Sequence, residues 1–192
     1  MKNLLSHTVR LTSRKSVASL AFVAGLLLAA LPAFPVFAGE NSAKQQAEFV
    51  SNFLSFVEWP RGAFLDEKAP AIVCVLGDAP VAAALQKDAA GKKGMTHEPV
   101  IKALSSTELT PACHILFVSS KEMARWDAIQ KTFGMSSVFT VGDAPGFSSK
   151  GGIVEFFEQG GHTKLKINLK TATKARFKIS SRLLKIAEIV EQ

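Results

Sequence analysis

Three short runs constrain the fold of this chain more than anything else in it: "AIVCVLG" at 71–77, "HILFVSS" at 114–120 and "SSVFTVG" at 136–142. The first is wholly apolar and bounded by Pro70 and Gly77, and the other two centre on the apolar, β-branched or aromatic stretches Ile115–Val118 and Val138–Val141. Runs of that length with no polar face read as strands buried on both sides, which is the condition of a parallel sheet covered by helices. The intervening segments supply those helices. "DAPVAAALQKDAAG" offers Asp78 as N-cap, Pro80 in the first turn and Gly91 as a stop. "SKEMARWDAIQKTFG" can be capped by Ser119 or Ser120 and ends near Gly134. Strand, helix, strand implies parallel neighbours joined by right-handed crossovers. A weaker strand is expected at 99–104.

The flanks behave differently. Over 42–58 the apolar residues Ala47, Val50, Phe53, Leu54 and Val57 recur at three and four, predicting an amphipathic helix that Pro60 ends by pushing Trp59 out of helical geometry. "RGAFLDEKAP" reads as a connector. Late in the chain, "GGIVEFFEQGGHTKLKINL" holds two strand-like runs around "QGGH", a hairpin signal. Leu165, Ile167 and Leu169 alternate there with Lys164, Lys166, Asn168 and Lys170, so one side is wet. "ISSRLLKIAEIVEQ" predicts a final helix, capped by Ser180 or Ser181, with Leu183, Leu184, Ile186, Ala187 and Val190 as its core stripe. The expected fold class is α/β: a single domain with a mixed β-sheet, a parallel βαβ core and a C-terminal antiparallel hairpin, flanked by helices.

The first fifteen residues carry Lys2, Arg10, Arg14 and Lys15 and no acid, an apolar stretch follows to Leu31, and Val36 and Ala38 satisfy the small-residue rule for cleavage after Ala38. Residues 1–38 are therefore read as a signal peptide and 39–192 as the working domain. No charge appears from Ser16 until Glu40, a span also long enough for a membrane anchor, a reading that Pro32, Pro35 and the cleavage pattern oppose. Gly39 after the cut opposes a lipoprotein. Of the formal +7, four cations leave with the leader, so the domain keeps +3 and a nucleic-acid partner is excluded as the reason for the charge. Basic residues concentrate over 164–185 without an acid. That block reads first as a solvated face and second as a contact for membrane phosphates or an acidic partner.

Export bears on the only two cysteines, Cys74 and Cys113. In an oxidising compartment they are expected to pair, and the loop they close would contribute roughly 4 kcal/mol on the chain-entropy account. Two separate buried thiols are the alternative.

Little else suggests catalysis. His97, His114 and His162 lack metal or triad spacing, and "GKKG" at 91–94 lacks the phosphate-loop pattern. Cys113 beside His114 could form a thiolate–imidazole couple, but a thiol in a disulfide attacks nothing. No carboxylate pair is anchored for acid and base roles. A parallel sheet binds ligands beyond its strand carboxyl ends, where Asp78, Ser119, Ser120 and Asp143 gather, although helix capping also explains those residue types.

"FVSNFLSFVEWP", "VCVLGD", "ACHILFVSS", "FTVGDAPGF", "GGIVEFFEQGG", "LKINLKTATKA" and "ISSRLLKIAEIV" resemble, in content and order, the YfiR-like family. The resemblance spans nearly all of 39–192. It implies a small periplasmic α/β protein, often dimeric, without cofactor or enzymatic activity. Such a protein restrains an inner-membrane diguanylate cyclase by binding its periplasmic sensor part, and an outer-membrane lipoprotein sequesters the restrainer. It also implies the Cys74–Cys113 pairing. A second cysteine pair in relatives falls on Ser148 and Glu155, and Lys166 stands where relatives tend to carry an acid. Candidate partner-binding residues are Phe56, Trp59 and Pro60 in the first block, Phe147, Gly151 and Gly152 in the glycine-bracketed loop, and Lys166. Phe56 lies off the helix's main stripe and is the exposed candidate there. Phe147, on a loop between glycines, is the expected surface anchor, while turn geometry alone would also explain the glycines. A ligand sensor using the strand-end crevice is the alternative function, and a thiol enzyme at Cys113 and His114 a third.

Overall fold

The computed structural model describes residues 38–92, 94–105, 113–133 and 137–190; the expected signal peptide, save Ala38, lies outside the described residues. Seven strands form the main sheet: β2 (Ala71–Leu76), β3 (Pro99–Leu104), β4 (Ile115–Val118), β5 (Phe139–Gly142), β6 (Val154–Gln159), β7 (His162–Asn168) and β9 (Ala187–Val190). Their spatial order is β3-β2-β4-β5-β6-β7-β9. Only the β6–β7 hairpin is antiparallel; the other neighbours run parallel. The short β1 (Val57–Glu58) and β8 (Lys178–Ile179) pair apart from it as a two-stranded ribbon. The single mixed α/β domain expected from the three apolar runs is therefore present.

Helices cover both faces. On one, α1 (Ala38–Phe56) and α2 (Ala79–Ala90) pack with α4 (Leu169–Lys174) and α5 (Ser181–Leu184) over Val73, Val75, Phe117, Phe139, Val141, Phe156 and Ile167. On the other, α3 (Trp126–Phe133) lays Trp126, Ile129 and Phe133 over Leu76, Leu116, Val118 and Phe147. Strand alternation explains the division, since successive side chains on one strand enter opposite cores.

Local signals set the boundaries. Asp78 caps α2, its Oδ1 accepting the Val81 amide at 2.9 Å, and Gly91 ends the helix. Ser119 caps a 3₁₀ turn over Ser120–Arg125 that precedes α3, so the expected helix begins as a tighter coil. Among the described residues, no helix is long and apolar enough to cross a membrane.

The expected C-terminal helix is a correction. Ser180 does cap a helix, its hydroxyl accepting the Leu183 amide, but α5 ends after one turn. Residues 187–190 instead pair in parallel with β7, Leu165 opposite Ala187 and Ile167 opposite Ile189. Of the stripe Leu183, Leu184, Ile186, Ala187 and Val190, Leu183 alone is fully buried, and Ile186 is 58% exposed. The interrupted apolar pattern of 183–190 fits either period, and pairing at 187–190 also satisfies the backbone groups along the β7 edge, which a longer helix would leave open.

Candidate functional site

Cys74 lies in β2 and Cys113 two residues before β4, the neighbouring parallel strand, and their Cα atoms stand 5.8 Å apart in a disulfide. The thiol-enzyme reading loses its nucleophile there. His114 is also committed. Its Nδ1 accepts the Ile72 amide at 2.9 Å while its own amide donates to the Ile72 carbonyl, so the side chain extends the β2–β4 ladder by one rung. Its Nε2 therefore carries the proton and donates to the Ala63 carbonyl at 3.0 Å. Burial lowers the His114 pKa, the Ala63 carbonyl opposes that, and nearby His97 adds to the lowering.

Around His114 the segment read as a connector is ordered by aromatic packing. Phe64 lies between two imidazoles, its centroid 3.6 Å from His97 and 4.4 Å from His114 with nearly parallel planes. Trp59 meets Phe64 edge-on at 5.4 Å, and His97 Nδ1 donates to the Ala69 carbonyl at 2.7 Å. Sequence reasoning missed this stack because its members are far apart in the chain; the lone Phe64 amid polar connector residues was the available signal. Next to it, Leu65 projects fully into solvent.

The expected partner-binding residues divide. Pro60 is buried, and Trp59 and Phe56 are half-buried against the α1 core, with the Phe56 carbonyl accepting the Ser180 amide. Phe56 is thus less exposed than expected, because the crossover that includes β8 covers the end of α1. Gly151 is exposed but Gly152 is buried.

Phe147 is a second correction: it is fully buried and is not a surface anchor. Its ring stacks on Trp126 at 4.5 Å and lies against the backbone of Gly142 and Gly152. A Cβ at Gly142 would come within 2.7 Å of the ring, and one at Gly152 would overlap it. Those two glycines are where an aromatic passes over main chain, which sequence alone cannot tell from a turn requirement. The loop is then fastened from outside, where Trp126 Nε1 and Gln130 Nε2 both donate to the Lys150 carbonyl.

Lys166 faces its own fold. It stands directly opposite Glu155 in the β6–β7 ladder, with Nζ 3.5 Å from the carboxylate and 4.7 Å above the Phe157 ring. Glu155 is buried, and its other oxygen accepts the Ser148 hydroxyl at 2.7 Å and the Ser148 amide at 3.0 Å. Asn168 Nδ2 donates to the Ser148 carbonyl. Burial raises the Glu155 pKa, but the Ser148 hydroxyl and amide, the Gly146 amide and Lys166 outweigh it and hold the carboxyl below its ordinary value. The two positions that resemblance assigns to a second cysteine pair are thus in contact through a polar bond. The lysine at 166 balances the acid at 155.

The strand-end residues also converge. Asp78, Ser119, Ser120 and Asp143 follow β2, β4 and β5, and Asp143 accepts the Ser120 amide. Burial raises the Asp143 pKa, the Ser120 amide counters it, and the Asp78 charge adds to the rise. Asp78 and Asp143 edge a cavity of about 1140 Å³ between α1 and α2, whose wall includes Ser42, Gln46 and Val81. Ser119 and Ser120 stay outside that wall, occupied in capping and in holding Asp143. Among the described residues no group of three or more acids, histidines or cysteines is placed to hold a metal.

No curated protein matches the chain. A family model described as YfiR/HmsC-like matches residues 43–188, from α1 into β9. With that span covering the sheet, its disulfide and the glycine-bracketed loop, the chain belongs to the YfiR/HmsC-like family.

Proposed function

We propose that this protein is a periplasmic regulator that binds the periplasmic sensor part of an inner-membrane diguanylate cyclase and inhibits it, so controlling cyclic di-GMP signalling. Family membership over 43–188 carries the reading. The disulfide in the described domain agrees with an oxidising compartment. Residues 1–38 act as the signal peptide that delivers 39–192 there. Inhibition is stoichiometric, since a protein that binds one state of a sensor shifts its population by its differential affinity. Trp59 with Phe56 beside it, together with Gly151 and the accessible side of Lys166, are the partner-facing residues left after Pro60, Phe147 and Gly152 are assigned to the interior. An outer-membrane lipoprotein competes for the restrainer, and the working form is a homodimer.

Affinity capture from detergent-solubilised membranes, using the exported protein as bait, tests this. The expected prey is a membrane protein carrying a diguanylate cyclase domain, with cyclic di-GMP rising when the regulator is deleted. Unchanged cyclic di-GMP and no such prey would refute it. One observation favours a second reading, a small-ligand sensor: the cavity edged by Asp78 and Asp143 is large enough for a metabolite. Mass spectrometry of protein purified without denaturation would reveal a retained molecule.

A further inference from the structure

Between β7 and β9 the chain crosses the α1 face through α4, β8 and α5, and this crossover contains Lys170, Lys174, Arg176, Lys178, Arg182 and Lys185 with no acid. The rest of 39–192 has thirteen basic and sixteen acidic residues, so a domain of net +3 is a −3 body with a +6 crossover. All six cations are exposed. Ala172, Phe177 and Leu183 anchor the segment inward in one core, which turns the cations outward from the same wall. Lys178 pairs with Glu58 at 3.0 Å, and the other five have no ion-pair partner among the described residues.

Arg176 supplies an independent observation. The Phe177 amide donates to the Ala172 carbonyl and the Arg176 amide to that of Thr173, the bonding pattern of a helix end closed by a left-handed residue. Arg176 is that residue, at φ 65°, and it is the one non-glycine with positive φ among the described residues. Glycine fits such a position without steric cost. A long cation held where the backbone favours glycine points to work done by the side chain.

We infer that the crossover is a docking surface for an anionic membrane, which it meets through lipid phosphates. Its cations are spread along α4, β8, α5 and the turns beside them; Lys174 edges a cavity of about 570 Å³ shared with α3, but the six converge on no common pocket, which suits a diffuse plane of charge better than a shaped acidic protein. Ile186 and Ile189, 58% and 41% exposed, follow the cationic stretch directly and give its end an apolar margin of the kind that enters a headgroup layer. The negative remainder is repelled by the same surface, so attraction also orients the domain. The inference goes beyond the regulatory reading, because a lipid vesicle contains no cyclase.

The test is co-sedimentation of the protein, expressed from the full chain, with vesicles rich in phosphatidylglycerol and with pure phosphatidylcholine vesicles, at low and high salt. Binding to the anionic vesicles alone, weakened by salt, is expected. Lys170→Gln with Lys174→Gln should weaken it roughly 25-fold, from about five-fold per cation near an anionic surface. Arg176→Gly should weaken it roughly five-fold while leaving the melting temperature unchanged or up to about 3 °C higher. Equal binding to both vesicle types, unaltered binding by the variants, or retention on an acidic polypeptide without any vesicle binding would each overturn the inference.

Discussion

Replacing Phe147 with alanine separates a buried role from a surface role. The ring is fully buried against Trp126 and the main chain at Gly142 and Gly152. Deleting it leaves a cavity whose floor is backbone, which collapses poorly. Phenylalanine-to-alanine changes in cores cost about 3–5 kcal/mol. At roughly 2–4 °C per kcal/mol for a domain of this size, the melting temperature should fall by about 10 °C. Phe147→Leu keeps most of the volume and should cost roughly a third as much. Gly152→Ala should destabilise as well, because its methyl group needs space the ring occupies. Thermal unfolding followed by near-ultraviolet circular dichroism measures all three. A fall under about 2 °C for Phe147→Ala, together with lost partner capture, would show the ring to be an exposed anchor and the packing argument to be wrong.

Other consequences follow from single contacts. Because burial lowers the His114 pKa, the unfolded chain binds a proton there first as pH falls, so stability should rise with pH through the window just below 6.5. His114→Phe should flatten that dependence in urea titrations; an identical slope would dissociate His114 from it. Lys166→Glu places a second carboxylate opposite buried Glu155 and should cost about 1–3 kcal/mol at neutral pH. The deficit should shrink in acid, and a loss independent of pH would mean that charge is not the cause. Cys74→Ser with Cys113→Ser should cost roughly 4 kcal/mol, read from denaturant midpoints, and an unchanged midpoint would make the bridge incidental.

The sequence was most legible where local chemistry and burial agree. Asp78, Gly91 and the apolar run at 71–76 specify the first βα unit, and the structure places β2 and α2 there. The weaker run at 99–104 holds because β2 pairs with it along its whole length. Legibility failed where a distant partner decides. β9 became a strand because β7 had an open edge, which no window around Ile186 contains. Phe147 is buried because Trp126 and two glycines make a slot for it, and its neighbours in sequence do not reveal that. The Ser148–Glu155–Lys166 contact likewise joins a loop and two strands, so its acid and its lysine each look exceptional until the ladder sets them opposite.

The central claim, restraint by docking, meets its most direct test in a purified full-length diguanylate cyclase in detergent, titrated with this protein while cyclic di-GMP production is followed. The account predicts inhibition that saturates at a fixed stoichiometry and weakens when the Trp59 surface is altered. Synthesis unaffected at saturating protein, with the domain folded and its disulfide formed, would contradict it.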